Sequence, residues 1–357
     1  MTSVDTWPPI RIAGTGSFVP ERVVTNAELV ASGLGTTDVW IVERTGIRER
    51  RWVAEEAAPG ATAHLATLAA GRALEAAKTH VDEVDLLVLA TSSPDWQQPA
   101  TASAVHHALA MRPDAGCLDL NAVCSGFVYG LHAGSSMLAS AEAWTTALVI
   151  GAECYSRLTD PADRETRIFF GDGAGAVVLR KDLEMADLAA MAAAEVGVDL
   201  GTDFGRALDG GPLEQETVGI RSLAYSVDHG GKDALLTPHG EYFQMDGPAV
   251  RAYAVPAIAE AVRRACRDAA IEPSDLALLV PHQSNRRILE AALDALGMPE
   301  GRLSTTIERY GNTAAASIPI TLDEAVRGGR LRNGDLVCLV GYGGGLQSAA
   351  CVVRWAD

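Results

Sequence analysis

The residues of this 357-residue chain whose types and settings best suit chemistry are Cys124, His282 and Asn312. Cys124 lies in CLDLNAVCSGFVYGLHAGSSMLA, residues 117–139. This stretch reads as a short strand, a tight turn holding Cys124 and Ser125-Gly126, and a helix starting near Phe127. A thiol placed where a strand hands over to a helix faces the unpaired amides of the first helical turn, which favour thiolate over thiol. Cysteines in an Ala-rich chain are more often small core residues, so position alone leaves both readings open. His282, in VPHQSNRRI, follows an apolar run at the C-terminal end of a predicted strand, where open α/β sheets bind their ligands. A lone histidine is as often a satisfied core or surface residue. Asn312 opens GNTAAAS at a predicted helix start, where asparagine is also a common N-cap. GYGGGLQS, residues 341–348, holds three consecutive glycines, which make either a hairpin turn or a bare amide loop that a ligand oxygen can approach. Together these features describe a carbonyl-processing site. Cys/His/Asn also describes a papain-like protease, with the three as nucleophile, base and orienter.

The elements that must position these residues follow from pattern. IRIAGTGSF from Ile10 is a predicted strand, followed by a Pro-bounded turn and a short helix capped by Thr25 or Asn26. TTDVWIVERTGIRERRW gathers Trp40, Arg44, Arg48, Arg50 and Arg51 around Gly46. It reads either as a solvated loop or as a mouth with an indole for a flat ring and guanidiniums for phosphates. A helix over 62–78 leads to the strand DLLVLATSS, whose continuous apolar run suits a parallel strand buried on both faces. A loop with Pro94 and Pro99, a helix over 103–111 and the Cys124 stretch follow. TTALVIGAEC is the next predicted strand. IFFGDGAGAVVLR is read as a Gly-rich turn leading into another strand, and is not a dinucleotide fingerprint, because strand follows where a nucleotide-binding helix should begin. Residues 181–240 are the least patterned and are read as a connection with one or two strands. Beyond them come a helix over 248–270, the strand DLALLVPHQ, a helix over 285–297, a loop ending at Gly311-Asn312, a helix over 313–329 and a closing strand pair. The second half repeats the rhythm of the first, which implies two similar α/β halves, divided as 1–185 and 186–357.

The totals set bounds. The length suits two domains or one large α/β unit. The six cysteines form no CxxC pair and have no close histidine partners, so neither a zinc site nor a disulfide scaffold is indicated. The N-terminal residues show no basic segment before an apolar core, and no apolar run approaches the ~18 residues a spanning helix needs. A soluble cytoplasmic protein without membrane attachment is expected. A net charge of −17 argues against a general nucleic-acid partner.

The chain resembles the β-ketoacyl-acyl carrier protein synthase III family, thiolase-fold condensing enzymes that start fatty-acid and polyketide chains. The resemblance is carried, in the family's order, by GTGSFVPERVVTN, TTDVWIVERTGIRER, NAVCSGFVYGL, FFGDGAGAVVL, FQMDGPAVR, VPHQSNRRI, GNTAAASIPI and GYGGGL. It implies a layered αβαβα sandwich, with Cys124 as the acylated nucleophile. It also implies that His282 and Asn312 bind the malonyl thioester carbonyl and stabilise the enolate left by decarboxylation. The amides of Cys124 and Gly344 would form the oxyanion hole. Trp40, Arg44 and Arg164 fall on positions that hold the adenine end and phosphates of coenzyme A. Arg251 and Arg287 match basic positions that receive the carrier protein and its phosphopantetheine arm. The family's pattern implies acyl-CoA as substrate, a malonyl thioester on acyl carrier protein as extender, no metal or organic cofactor, and a homodimer.

Three departures bear on specificity. Gln98 stands where the neighbouring subunit closes the acyl pocket, a place often apolar in the family. Leu346-Gln347-Ser348 replaces the common Thr-Trp continuation, and the segment 181–240 matches poorly. Two other readings are an acyltransferase that passes the acyl group to an alcohol, amine or thiol without condensation, and a non-catalytic subunit of a heterodimer. Retention of both His282 and Asn312 favours condensation, since simple transfer needs only a base.

Overall fold

A computed structural model of the chain describes residues 8–54, 60–182 and 218–356. Two sheets organise it. The first runs, edge to edge, Ile10–Phe18, Asp172–Lys181, Thr146–Cys154, Leu86–Ala90 and Gly116–Leu120. Its neighbour pairs are antiparallel, antiparallel, parallel and parallel. The second runs Gly219–Val227, Gln347–Arg354, Leu336–Gly343 and Leu278–Pro281, with pairs antiparallel, antiparallel and parallel. A single parallel bridge from Leu279 to Leu303 stands where a fifth strand would repeat the first sheet. The expected repeat is therefore visible strand by strand. The expected division between residues 185 and 186 lies outside the described residues, as does 183–217 of the weakly patterned segment.

Side-chain alternation along the strands creates the layers. Leu86 and Val88 face one side of the first sheet and Leu87 and Leu89 the other, as a period of two requires. Helices Gly126–Ser140 and Ser317–Arg327 fill the middle layer. Phe127, Leu131, Leu138, Ile318 and Leu322 share one core there with Val149 of the first sheet and Val280 and Leu339 of the second. Helix Ala61–Ala76 covers the outer face of the first sheet through small residues such as Ala66, Ala69, Ala70 and Ala73. Helices Gly247–Asp268 and Arg286–Leu296 cover the second through Ile258, Val262, Leu289 and Leu293. The result is the layered αβαβα thiolase sandwich.

The reading of GDGAGA as a turn is corrected, because Gly173 and Gly175 lie inside the strand Asp172–Lys181. A Cβ on Gly175 would stand 2.6 Å from the Ile320 nitrogen, and one on Gly173 3.0 Å from the Ile320 side chain. These glycines let the helix Ser317–Arg327 seat directly on the sheet. Asp323 of that helix is buried and accepts hydrogen bonds from Thr15 Oγ1 at 2.8 Å and Ser17 Oγ at 2.5 Å, pinning the C-terminal half to the first strand of the N-terminal half.

Candidate active site

Cys124 follows the strand Gly116–Leu120 and sits in a single 3₁₀ turn, Val123–Ser125, before the helix beginning at Gly126. The second half repeats this local construction: Asn312, a 3₁₀ turn over Ala314–Ala316, then the helix from Ser317. In both, an asparagine Oδ1 accepts from the amide two residues on, Asn121 from Val123 at 3.1 Å and Asn312 from Ala314 at 2.8 Å. In both, the first residue of the 3₁₀ turn has a left-handed backbone, φ 47° at Val123 and 43° at Ala314. Such non-glycine conformations cost about 1–3 kcal/mol each and persist only where surroundings over-determine them. Val123 is β-branched, which makes the strain beside Cys124 pronounced.

The two turns and the end of the strand Leu278–Pro281 converge on one cleft, lined by Cys124, His282, Asn312, Ser284, Asn285, Arg251 and Gly343. Residues that are 188 positions apart in sequence order of the two helical turns, Cys124 and Asn312, thus share a wall. Asn312 is clamped by its backbone: its N–H donates to Phe169 O at 2.8 Å and its carbonyl accepts from Gly171 N at 3.0 Å. With Oδ1 used by Ala314, the side-chain Nδ2 makes no hydrogen bond among the described residues and is left as a donor. His282 is 1% exposed, its Nδ1 meets Ser317 Oγ at 2.7 Å, and Tyr342 sits edge-on to its ring. Nε2 is the ring atom left to the cleft.

Burial lowers the His282 pKa from 6.5 to about 3, the Ala314 carbonyl opposing it, so the imidazole is neutral. Cys124 is pushed the other way, upward, first by burial and then by the Glu153 carboxylate, with its own backbone amide opposing. Burial and the neighbouring Glu153 carboxylate thus oppose the expected pull of the helix amides toward thiolate. Glu153 itself is raised from 4.5 to about 7 by burial. Four donors oppose that rise: Ser93 Oγ, Ser92 Oγ and N, and the Ala315 amide.

The glycine motif does more than turn. A Cβ on Gly343 would lie 2.8 Å from Cys124 Cβ and 3.1 Å from its Sγ, and one on Gly341 would lie 2.7 Å from Ser125 Cα. Gly344 follows at the end of the strand Leu336–Gly343, against Val123. The neighbour packed directly on the thiol is therefore Gly343, which sequence reasoning had not separated from its motif.

Trp40, Arg44 and Arg164 are brought together, with the two guanidiniums 5.0 and 5.2 Å from the indole centroid. They stand outside the cleft lining, but Asn285 of the cleft donates to Arg44 O at 2.9 Å, joining that cluster to the mouth. Arg251 lines the cleft and Arg287 is exposed one turn from it; neither makes an ion pair among the described residues. Gln98 is exposed on a loop outside the cleft of its own chain. Sequence reasoning missed Glu153, Ser317 and Tyr155. Only Glu153 had a local signal, as a lone carboxylate in an apolar strand. No helix among the described residues is long and apolar enough to cross a membrane.

Comparison with known proteins bears directly on this arrangement. Residues 118–199 match the family profile of 3-oxoacyl-[acyl-carrier-protein] synthase III, and residues 266–355 match that of its C-terminal part. A β-ketoacyl-[acyl-carrier-protein] synthase III of Rhizorhabdus wittichii is 42% identical over 344 residues, covering 96% of this chain and 98% of the relative. The chain belongs to the β-ketoacyl-acyl carrier protein synthase III family. An acetoacetyl-CoA synthase of Streptomyces sp. (strain CL190) is 40% identical over 346 residues, covering 97% and 98%. The crystal structure of a synthase III from Aquifex aeolicus superposes with a TM-score of 0.84 at 34% identity, covering 97% of this chain and 100% of that one.

Proposed function

We propose that this acyltransferase takes an acyl group from acyl-CoA onto Cys124 and condenses it with a malonyl thioester. The observation that carries the assignment of roles is the single cleft holding a buried thiol, a neutral histidine and an asparagine with a free amide donor. Sγ attacks the thioester carbonyl, and the amides of Cys124 and Gly344 receive the oxyanion. Coenzyme A leaves as its thiol, carrying the proton that Cys124 gives up. The malonyl thioester then places its carbonyl oxygen against His282 Nε2–H and Asn312 Nδ2–H. Loss of CO2 leaves an enolate, and its carbon attacks the acyl carbonyl. The β-ketoacyl thioester departs, and the Cys124 thiolate it leaves takes a proton from water. A neutral imidazole suits this role, since it polarises the carbonyl without surrendering a proton to the enolate.

Trp40, Arg44 and Arg164 serve the nucleotide end of coenzyme A, with the indole for the adenine and guanidiniums for phosphates. Arg251 and Arg287 form a basic rim on an acidic protein, which steers an acidic acyl carrier protein to the mouth. The reading needs no metal or organic cofactor. It places the enzyme in the cytoplasm as a homodimer in which Gln98 closes the partner's acyl pocket, with halves divided at 1–185 and 186–357. Intact-protein mass spectrometry tests it. Incubation with acyl-CoA should add one acyl group to the wild type and none to Cys124→Ala, and a malonyl-carrier protein chase should remove it as β-ketoacyl product. An adduct that survives the chase would refute the condensation.

A further inference from the structure

A second cavity, of about 290 Å³, shares no lining residue with the Cys124 cleft, and Trp40, Arg44 and Arg164 also stand outside it. That is the room of roughly ten waters. Its lining among the described residues holds three arginines, Arg22, Arg157 and Arg167, and no acidic residue, on a chain of net charge −17.

Trp52 is the surface on which two of the arginines gather. The indole is 6% exposed and its Nε1 donates to Phe170 O at 2.9 Å, while the Arg167 and Arg22 guanidiniums stand 4.0 and 5.7 Å from the ring centroid. Arg167 Nη1 donates to Ser156 O at 2.5 Å and to Thr159 Oγ1 at 2.8 Å, which fixes the fork. Its Nε and Nη2 make no hydrogen bond, and it forms no ion pair, among the described residues. Burial lowers the Arg167 pKa, Asp172 opposes the fall and Arg22 adds to it. Asp172 is already committed elsewhere, to Val53 N and to Ser156 N and Oγ. Arg22 pairs with Glu28 at 2.8 Å, but both side chains are nearly half exposed and such a pair holds weakly. Arg157 is occupied by Thr62 and Asp95. Tyr242, 49% exposed at the same cavity, has a hydroxyl with no hydrogen bond among the described residues.

Two like charges on one indole repel each other, and an anion between them would reverse that cost. The unspent donors come from three separate segments, carried by Arg22, Arg167 and Tyr242. Such a spread suits the several oxygens of a tetrahedral phosphate better than the two coplanar oxygens of a carboxylate. We propose that this cavity is a second binding site, for a small phosphate-bearing anion, held by the Arg22 and Arg167 guanidiniums over Trp52 with Tyr242 at its edge. The site is independent of the acyl-enzyme reading, since none of its residues lines the Cys124 cleft.

Isothermal titration calorimetry at fixed ionic strength tests it, on the full chain freed of coenzyme A. Inorganic phosphate, glycerol 3-phosphate and malonate are titrated into wild type, Arg22→Gln, Arg167→Gln and Arg164→Gln. Wild type should bind one equivalent of a phosphate and prefer it to malonate. Equal affinity for the two phosphates would support the site as one for the free ion, and tighter glycerol 3-phosphate as one for an organic phosphate. Arg22→Gln and Arg167→Gln should each weaken binding by about tenfold or more, the worth of a charge-assisted contact. Arg164→Gln, at the nucleotide cluster, should bind as wild type does. Arg22→Gln carries the test if Arg167→Gln does not fold, because Arg22 is exposed. Three results would overturn the proposal: no binding of either phosphate at millimolar concentration, malonate bound more tightly than both, or binding lost in Arg164→Gln and kept in Arg22→Gln.

Discussion

Acidifying the medium from about pH 8 to about pH 5 should leave malonyl decarboxylation without a limb from His282. Burial sets its pKa at about 3. At pH 6 an ordinary histidine is about three-quarters protonated, and this one about one part in a thousand. The neutral ring can donate Nε2–H only if Nδ1 accepts from the Ser317 hydroxyl at 2.7 Å, whose one proton the Ala314 carbonyl at 2.8 Å also draws. The assay is CO2 release from a malonyl thioester by Cys124→Ala, which removes the acylation steps. Glu153, near 7 and close to Cys124, is a buried group that titrates in this range, so the double variant Cys124→Ala/Glu153→Gln removes its contribution from the profile. A limb near pH 6.5 that persists in the double variant and disappears on adding His282→Asn would refute the reasoning. The same burial has a stability consequence. A depressed histidine contributes stability that is complete above 6.5 and is lost as pH falls toward 3, by up to about 5 kcal/mol. His282→Asn should therefore flatten acid unfolding over that window.

Other outcomes follow from neighbouring contacts. Ser317→Ala should slow decarboxylation by about tenfold while leaving Cys124 acylation nearly intact, because it frees the histidine tautomer without touching the thiol; equal losses in both steps would contradict this. Gly343→Ala forces a methyl against Cys124 Cβ and Sγ and should cost about 1–3 kcal/mol in denaturant unfolding, with loss of acylation. Gly71→Ala, where a Cβ meets nothing within 4 Å in the helix Ala61–Ala76, should instead gain about 0.5–1 kcal/mol. Glu153 has a raised pKa, so its contribution is fully present below 4.5 and is lost as pH rises through about 7, by up to about 3 kcal/mol. Glu153→Gln should remove that slope from a series of melts between those pH values.

Much of the architecture was legible because its signals are local. Continuous apolar runs such as LLVLA and TALVIGAEC became the buried strands Leu86–Ala90 and Thr146–Cys154, and Thr25 caps the short helix at Asn26 as expected. GDGAGA misled because glycines that let a helix seat closely on a sheet have the same local pattern as glycines that turn a chain. Residue order alone does not distinguish a ligand approaching the backbone from another helix doing so.

The amino-acid sequence by itself determined where Cys124, His282 and Asn312 stand relative to their strands and helices, since each is placed by the few residues around it. Tertiary structure decided their chemical state. Whether a thiol or imidazole is charged depends on what excludes water from it and which charges lie near, and for Cys124 those are Glu153 and a wall from both halves. It also decided the partners: Gly343 against the thiol, Ser317 behind the imidazole, and the ring cluster of Tyr155, Phe170 and Phe243. These contacts join distant segments through packing of the two central helices between two sheets, and no local pattern encodes a distance across such a layer.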